Sequence, residues 1–312
     1  MEYANGDPKT NKWAKMRADA GHPEPFHLKM IGIGNENYGE VYLENFAIVK
    51  EALHEKYPEI KCVLCSGAFI DGKTCKTAWQ LGKEKYPDVY IDEHYYRSNE
   101  WFYDQVNRYD HYERGIAKVF AGEYAANDQS VPHIPNTFES ALAEAAFLTG
   151  IERNSDVVAM TSYAPLFSMI DGMQWNHNMI WFSPSEIVKT PNYYVQQMYA
   201  SNIGSEYVEY MGELPEKCYL SITKDKQHYY IKFVNASNEE THVDITLEER
   251  IKDEVKVTVL HSIDQEAVNV LEYKGEPQYH VWPEDKMITG NNGNIKLEVL
   301  PYSINICVAD II

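Results

Sequence analysis

Two glutamates carry the chemical interest of this sequence. Glu36 lies in "GIGNENYGE", just past the apolar run at residues 28–31, and Glu123 lies in "FAGEYA". Each closes a strand-like run, the first ending in Asn35-Glu36 and the fourth in Gly122-Glu123-Tyr124. A third run ends in His94-Tyr95-Tyr96; His94 and Tyr96 are two apart and point to the same side of a strand. The fifth leads into a long loop holding Gln174, Trp175 and Asn176. Paired carboxylates suit acetal cleavage with retention. One, its pKa raised, protonates the leaving oxygen while the other attacks the anomeric carbon from a separation of about 5–5.5 Å. The surrounding Asn, His, Tyr, Gln and Trp are the types that orient sugar hydroxyls and stack on sugar faces. Singly, each residue has a plainer reading: a loop acid or a helix N-terminal charge, a structural histidine, a packed tryptophan. Their joint placement at strand ends is what points to a site.

Positioning them falls to an alternation of short apolar runs and longer amphipathic stretches between residues 28 and about 200. Strands are expected at 28–34, 61–67, 89–95, 118–124 and 156–163, and helices near 40–57, 73–86, 99–115 and 137–151. The helix at 40–57 is expected to turn Val41, Phe46, Val49 and Leu53 to one face and to end at Pro58. Strands separated by helices imply βαβ units and a parallel sheet, either doubly wound or a β/α barrel. In a barrel, chemistry sits at the C-terminal strand ends. After residue 203 the runs become short, β-branched and alternating, as in "HYYIKFVNAS" and "NIKLEVLP", which reads as an all-β sandwich. The expected domains are 1–203 and 204–312.

Composition narrows the classes. The 312 residues, 44% hydrophobic and 13% aromatic with 24 tyrosines, describe a globular chain with a large core. A net charge of −19 disfavours nucleic acid or an anionic membrane as partner, and no apolar run reaches the roughly 18 residues that span a bilayer. The glycines at 32, 34 and 39 fit neither a dinucleotide fingerprint nor a P-loop. Cys62-Val-Leu-Cys65 falls inside a buried strand with no second pair, so the five cysteines read as inert thiols rather than metal ligands. No metal or other cofactor is expected.

"IGIGNE", "DEHYY" and "FAGEYA" in this order, with "EYANGDPKTNKWAKMRADAGHPEPF" before them and "TPNYYVQQMYASNIG" and "VLPYSINICVADI" after, resemble glycoside hydrolase family 51, the α-L-arabinofuranosidases. The resemblance implies a (β/α)8 barrel followed by a jelly-roll-like sandwich. It makes Glu36 the general acid/base and Glu123 the nucleophile of a covalent intermediate. Asn35 would bond the sugar 2-hydroxyl, Tyr96 would hold the nucleophile, and His94 would stand nearby. Asn5, at the tip of barrel strand 3, and Gln174, after strand 8, would bind the furanose, with Trp175 beside them. Tyr124 departs from the tryptophan that many members carry after the nucleophile. Barrel strands 1 and 2, most of strand 3 and the upstream sandwich segment have no counterpart here. A C-terminal fragment or truncated reading frame, a partner chain supplying the missing strands, or closure in a homo-oligomer would account for that. The implied substrate is arabinose-containing plant polysaccharide or oligosaccharide. Another retaining barrel glycosidase (a xylosidase or glucanase) and a catalytically impaired carbohydrate-binding fragment are the alternatives. The compartment, cytoplasmic or periplasmic/secreted, stays open.

Overall fold

The computed structural model describes residues 1–127, 136–173, 175, 177–272 and 275–312. They form two compact units: a smaller one of Met1–His94 with Gly115–Ala121, and a larger one of Tyr95–Arg114 with Gly122–Ile312.

The smaller unit begins with α1 (Glu2–Asn5) and α2 (Lys12–Asp19), the latter capped by the Asn11 side chain, which accepts from Trp13 N and Ala14 N. Residues 2–5 are therefore helical where the sequence suggested a strand tip. The segment is organised instead around Arg17. This fully buried guanidinium donates to the carbonyls of Tyr3, Ala4, Gly6, His22 and Pro23, which gathers the polar backbone of a loop-rich stretch around one centre. Next come β1 (Met30–Ile33), α3 (Glu40–Lys56), β2 (Lys61–Cys65) and α4 (Lys73–Glu84), followed by β3 (Tyr90–Arg97). β1 and β2 pair in parallel from Met30↔Lys61 to Ile33↔Leu64, and β2 and β3 from Val63↔Tyr90 to Cys65↔Asp92. The run Cys62-Val-Leu-Cys65 is buried throughout, as a strand covered on both faces must be. All five cysteines are free and buried.

α3 buries a different face from the expected one. Phe46 is enclosed, but Val41 is 71% exposed and Val49 42%, while Tyr42 and Leu53 pack on the core and Lys50 is buried. The inward row is 42, 46, 50, 53, a regular helical stripe. Its lysine hides the stripe in the sequence: the Lys50 stem packs inward while its ammonium reaches Asp88 at 3.1 Å.

Both β3 and β4 (Lys118–Ala126) run from the smaller unit into the larger. The larger unit adds α5 (Asn99–Asp104), a 3-10 turn at Arg108–His111, α6 (Phe138–Arg153) and β5 (Val158–Tyr163). The helix expected over 99–115 thus stops at Asp104. Hydrogen bonding orders the five strands β1-β2-β3-β4-β5, in sequence and without the reversal of a doubly wound sheet. The topology is that of consecutive β/α-barrel units.

β6 (Phe167–Met169), β7 (Ile180–Phe182) and β8 (Ile187–Lys189) make a small sheet ahead of α7 (Pro191–Ala200). The antiparallel strands follow: β9 (Glu206–Tyr207), β10 (Cys218–Lys224), β11 (His228–Asn235), β12 (Thr241–Thr246), β13 (Ile251–His261), β14 (Glu284–Asn291), β15 (Asn294–Val299) and β16 (Ser303–Ile311). They form one sheet in the order β12-β15-β14-β13-β16-β11-β10-β9. Leu220 and Ile231, near one end of that order, share a core with Ile295 and Leu297 near the other, so the sheet curls onto itself. β15 alternates exposed and buried residues along its whole length, as one covered face requires. The buried ion pair of Lys232 on β11 with Glu152 on α6, joined by Ser221 of β10, ties the curled sheet to the helix. Among the described residues no helix is long and apolar enough to cross a membrane.

Candidate active site

The turn after β1 has unusual backbone geometry. Gly34 and Gly39 have φ of 87° and 89°, and Glu36 itself lies in the left-handed region at φ 51°. A Cβ on Gly34 would run into the Asn37 side-chain oxygen, the atom that accepts from Asn35 N at 2.8 Å. Tyr42 braces the turn from α3, donating to Ile33 O at 2.7 Å and accepting from Cys65 N at 2.9 Å. A non-glycine residue held at positive φ is strained, and such strain gathers at functional positions.

Within the smaller unit the Glu36 carboxyl is met from β3. Its Oε1 lies 3.1 Å from His94 Nδ1, and the other ring nitrogen, Nε2, lies 3.2 Å from Asp92 Oδ2. The His94 side chain is 1% exposed and that of Glu36 39%, so a buried ring supports an accessible carboxyl. Asp92, His94 and Tyr96 alternate along β3 and share a side of the strand. Tyr95, on the opposite side, is buried against Trp101, Phe102, Tyr124 and Phe147.

Within the larger unit Tyr96 Oη donates to Glu123 Oε2 at 2.8 Å. Tyr124, the next residue of β4, is wholly buried, and its hydroxyl donates to Gln196 Oε1 on α7 at 2.8 Å. Two positions further on, Ala126 N donates to Glu144 Oε1 on α6 at 2.9 Å. Glu144 is fully buried, and burial drives its carboxyl up to about 8 against the opposing pull of Asn192, Ala126 N and Gln196. The strand that carries Glu123 is thus fastened from behind at two consecutive inward positions.

The remaining sequence candidates divide. Asn35 is exposed on the turn beside Glu36. Asn5 is occupied locally: its amide donates to Leu28 O and its oxygen accepts from Leu28 N, both at 2.8 Å, which joins α1 to the segment before β1. Trp175 is 62% exposed, and its carbonyl accepts from Asn178 Nδ2. That loop is anchored by Tyr163, which donates to His177 O at 3.0 Å and accepts from Asn136 Nδ2 at 2.6 Å. Gln174 and Asn176 lie outside the described residues. Sequence reasoning passed over Asp92 and Glu144. Two-residue alternation back from His94 would have found the first; no short-range signal marks the second, an acid inside a helix that reads as amphipathic.

Known proteins match this chain along its length. The model for the α-L-arabinofuranosidase C-terminal domain matches residues 122–303, and that for the α-L-arabinofuranosidase 1 domain matches residues 1–114. An extracellular exo-α-L-arabinofuranosidase of Streptomyces chartreusis is 42% identical over 209 residues, covering 67% of this chain and 24% of the relative. A probable α-L-arabinofuranosidase A of Aspergillus flavus is 31% identical over 99% of this chain and 47% of its own length. An arabinose-bound family 51 α-L-arabinofuranosidase superposes with a TM-score of 0.84 at 25% identity, covering 100% of this chain and 50% of that one. The Thermotoga maritima α-L-arabinofuranosidase, at 18% identity and a TM-score of 0.74 over 99% of this chain and 72% of its own, shares the fold. This chain spans about half the length of the Aspergillus relative, and less of the Streptomyces one. The chain belongs to the α-L-arabinofuranosidases of glycoside hydrolase family 51.

Proposed function

We propose that this chain, or the longer protein of which it forms the C-terminal catalytic part, is a retaining α-L-arabinofuranosidase. It would release terminal arabinofuranosyl residues from arabinose-containing polysaccharide or oligosaccharide. Glu123 attacks the anomeric carbon as Glu36 gives its proton to the departing oxygen; Glu36 then takes a proton from the water that opens the covalent intermediate. The observation that carries the reading is how the two carboxylates are held. Each has one oxygen against a residue of β3, Glu36 against His94 and Glu123 against Tyr96. The two supports, His94 and Tyr96, are two residues apart on β3. In each carboxylate the other oxygen is the one assigned to the substrate. Asn35 is assigned to the sugar 2-hydroxyl; Asn5, Gln174 and Trp175 are the further sugar-binding candidates.

Replacing Glu123 by alanine should abolish release of a chromogenic aglycone from an aryl α-L-arabinofuranoside, and added azide should restore part of the turnover. An unchanged rate in that variant would sink the assignment. Preference for xyloside or glucan in a substrate panel would move the activity to another retaining glycosidase. One observation favours a second reading: the chain spans about half the length of the Aspergillus relative. On that reading it binds arabinose-containing sugars without turning them over, which calorimetry beside an activity assay at high protein concentration separates.

A further inference from the structure

Double displacement gives no task to Asp92, the buried acid of β3. We propose that Asp92 is a positioning residue for the acid/base. Its carboxylate accepts the Nε2–H of His94, keeps the ring doubly protonated, and so makes Nδ1 a donor to Glu36 Oε1. The inference rests on Glu36 being the proton donor of the proposed mechanism.

Geometry and burial both bear on this. Asp92 Oδ2 and Glu36 Oε1 lie 3.2 and 3.1 Å from opposite nitrogens of one ring. Asp92 Oδ1 has no hydrogen-bond partner among the described residues, and the residue is only 9% exposed. A buried carboxylate with one oxygen unpartnered is an unfavourable choice for filling space. The backbone does not need it either, because Asp92 O is held by Ser66 Oγ at 2.6 Å whatever the side chain. Two further titratable groups sense Asp92, Tyr42 on α3 and Cys65 on β2, and burial raises both, which keeps them neutral beside it.

The position of one proton follows. A neutral ring protonated at Nε2 presents a lone pair at Nδ1, and a protonated Glu36 then places its hydrogen on Oε1, facing the ring. A doubly protonated ring presents a hydrogen at Nδ1, and Oε1 can only accept. The Glu36 proton must then sit on Oε2, the oxygen assigned to the substrate. In the first half-reaction that proton passes to the glycosidic oxygen as the bond from C1 to that oxygen breaks and the bond from C1 to Glu123 forms. The Nδ1 hydrogen stabilises the carboxylate left behind. In the second half-reaction Glu36 takes a proton from water, and the ring keeps both of its own throughout.

Asp92→Asn keeps the shape and removes the charge. Arabinosides that differ in leaving group separate a proton-placing role from a structural one. An alkyl arabinofuranoside, which needs a full proton, should lose about 10- to 100-fold in kcat/KM, a fraction of what general acid catalysis contributes. A dinitrophenyl arabinofuranoside, which needs almost none, should change little. The imidazole 15N signals of His94 give a readout independent of turnover. At neutral pH both nitrogens should appear protonated in the wild type, and one should move to the unprotonated position in Asp92→Asn. Equal losses on the two substrates, or ring signals unmoved by the substitution, would overturn the proposal. If the wild type turns over no arabinofuranoside but the ring signals shift as stated, the functional reading fails and the coupling of Asp92 to His94 stands.

Discussion

Two fully buried ionisable side chains, one in each unit, are treated in opposite ways. Arg17 has each of its donors directed at a backbone carbonyl. Glu144 has one oxygen on Ala126 N and the other, Oε2, without a hydrogen bond among the described residues. Around the guanidinium the chain replaces the lost hydration group by group. The carboxyl is half supplied and is driven toward its neutral form, up to about 8. For Glu144 burial dominates, and its polar partners offset only part of that cost.

Substitutions that alter partner number or burial test that comparison. Arg17→Leu would leave five inward carbonyls without their donor and should destabilise the chain by about 3–5 kcal/mol, lowering Tm by roughly 10 °C in a thermal melt. Arg17→Lys, with fewer donors, should fall between; a lysine variant as stable as wild type would mean that charge matters and donor number does not.

Glu144→Gln should act through pH. The folded state holds this proton up to about 8, whereas the unfolded state releases it near 4.5. Wild-type stability from this group is therefore fully present below 4.5 and is lost as pH rises toward 8. Glutamine does not titrate, so the variant should gain on wild type across that window, on the order of a few kcal/mol at its upper end. Parallel melts at pH 5 and pH 8 measure the difference; a constant gap between the two proteins would exclude it. The smallest effect belongs to an exposed pair. Lys56 and Glu2 are in contact but 62% and 37% exposed, so Lys56→Ala should leave the thermal melt almost unchanged, and any small loss should vanish in high salt.

The same contrast explains what was legible in the sequence. Strands such as Lys61–Cys65 and Tyr90–Arg97 sit where apolar runs placed them, because a covered strand has little choice of composition. The two glutamates drew notice for a related reason: polar residues beside short apolar runs stand out. Interior charges were not. Lys50 disguised the packing face of α3, Asp92 passed as part of a polar strand end, and Glu144 looked like solvent-facing helix. A charge in a sequence reads as surface until its partners are known, and those partners lie 38, two and 18 residues away. The start of the chain was misjudged for the opposite reason. Residues 2–5 have little burial of their own, and contacts made by Arg17 from the following helix organise the stretch that contains them.

The left-handed backbone of Glu36 has an evolutionary consequence. At φ 51° a glycine is comfortable and a glutamate is not, by about 1 kcal/mol. On the proposed mechanism catalysis and folding therefore pull residue 36 in opposite directions: the change that removes the carboxyl also relaxes the turn. A lineage released from selection for turnover would find inactivation downhill at this position. Retention of glutamate there, across copies of the gene, would record that turnover had been under continuous selection.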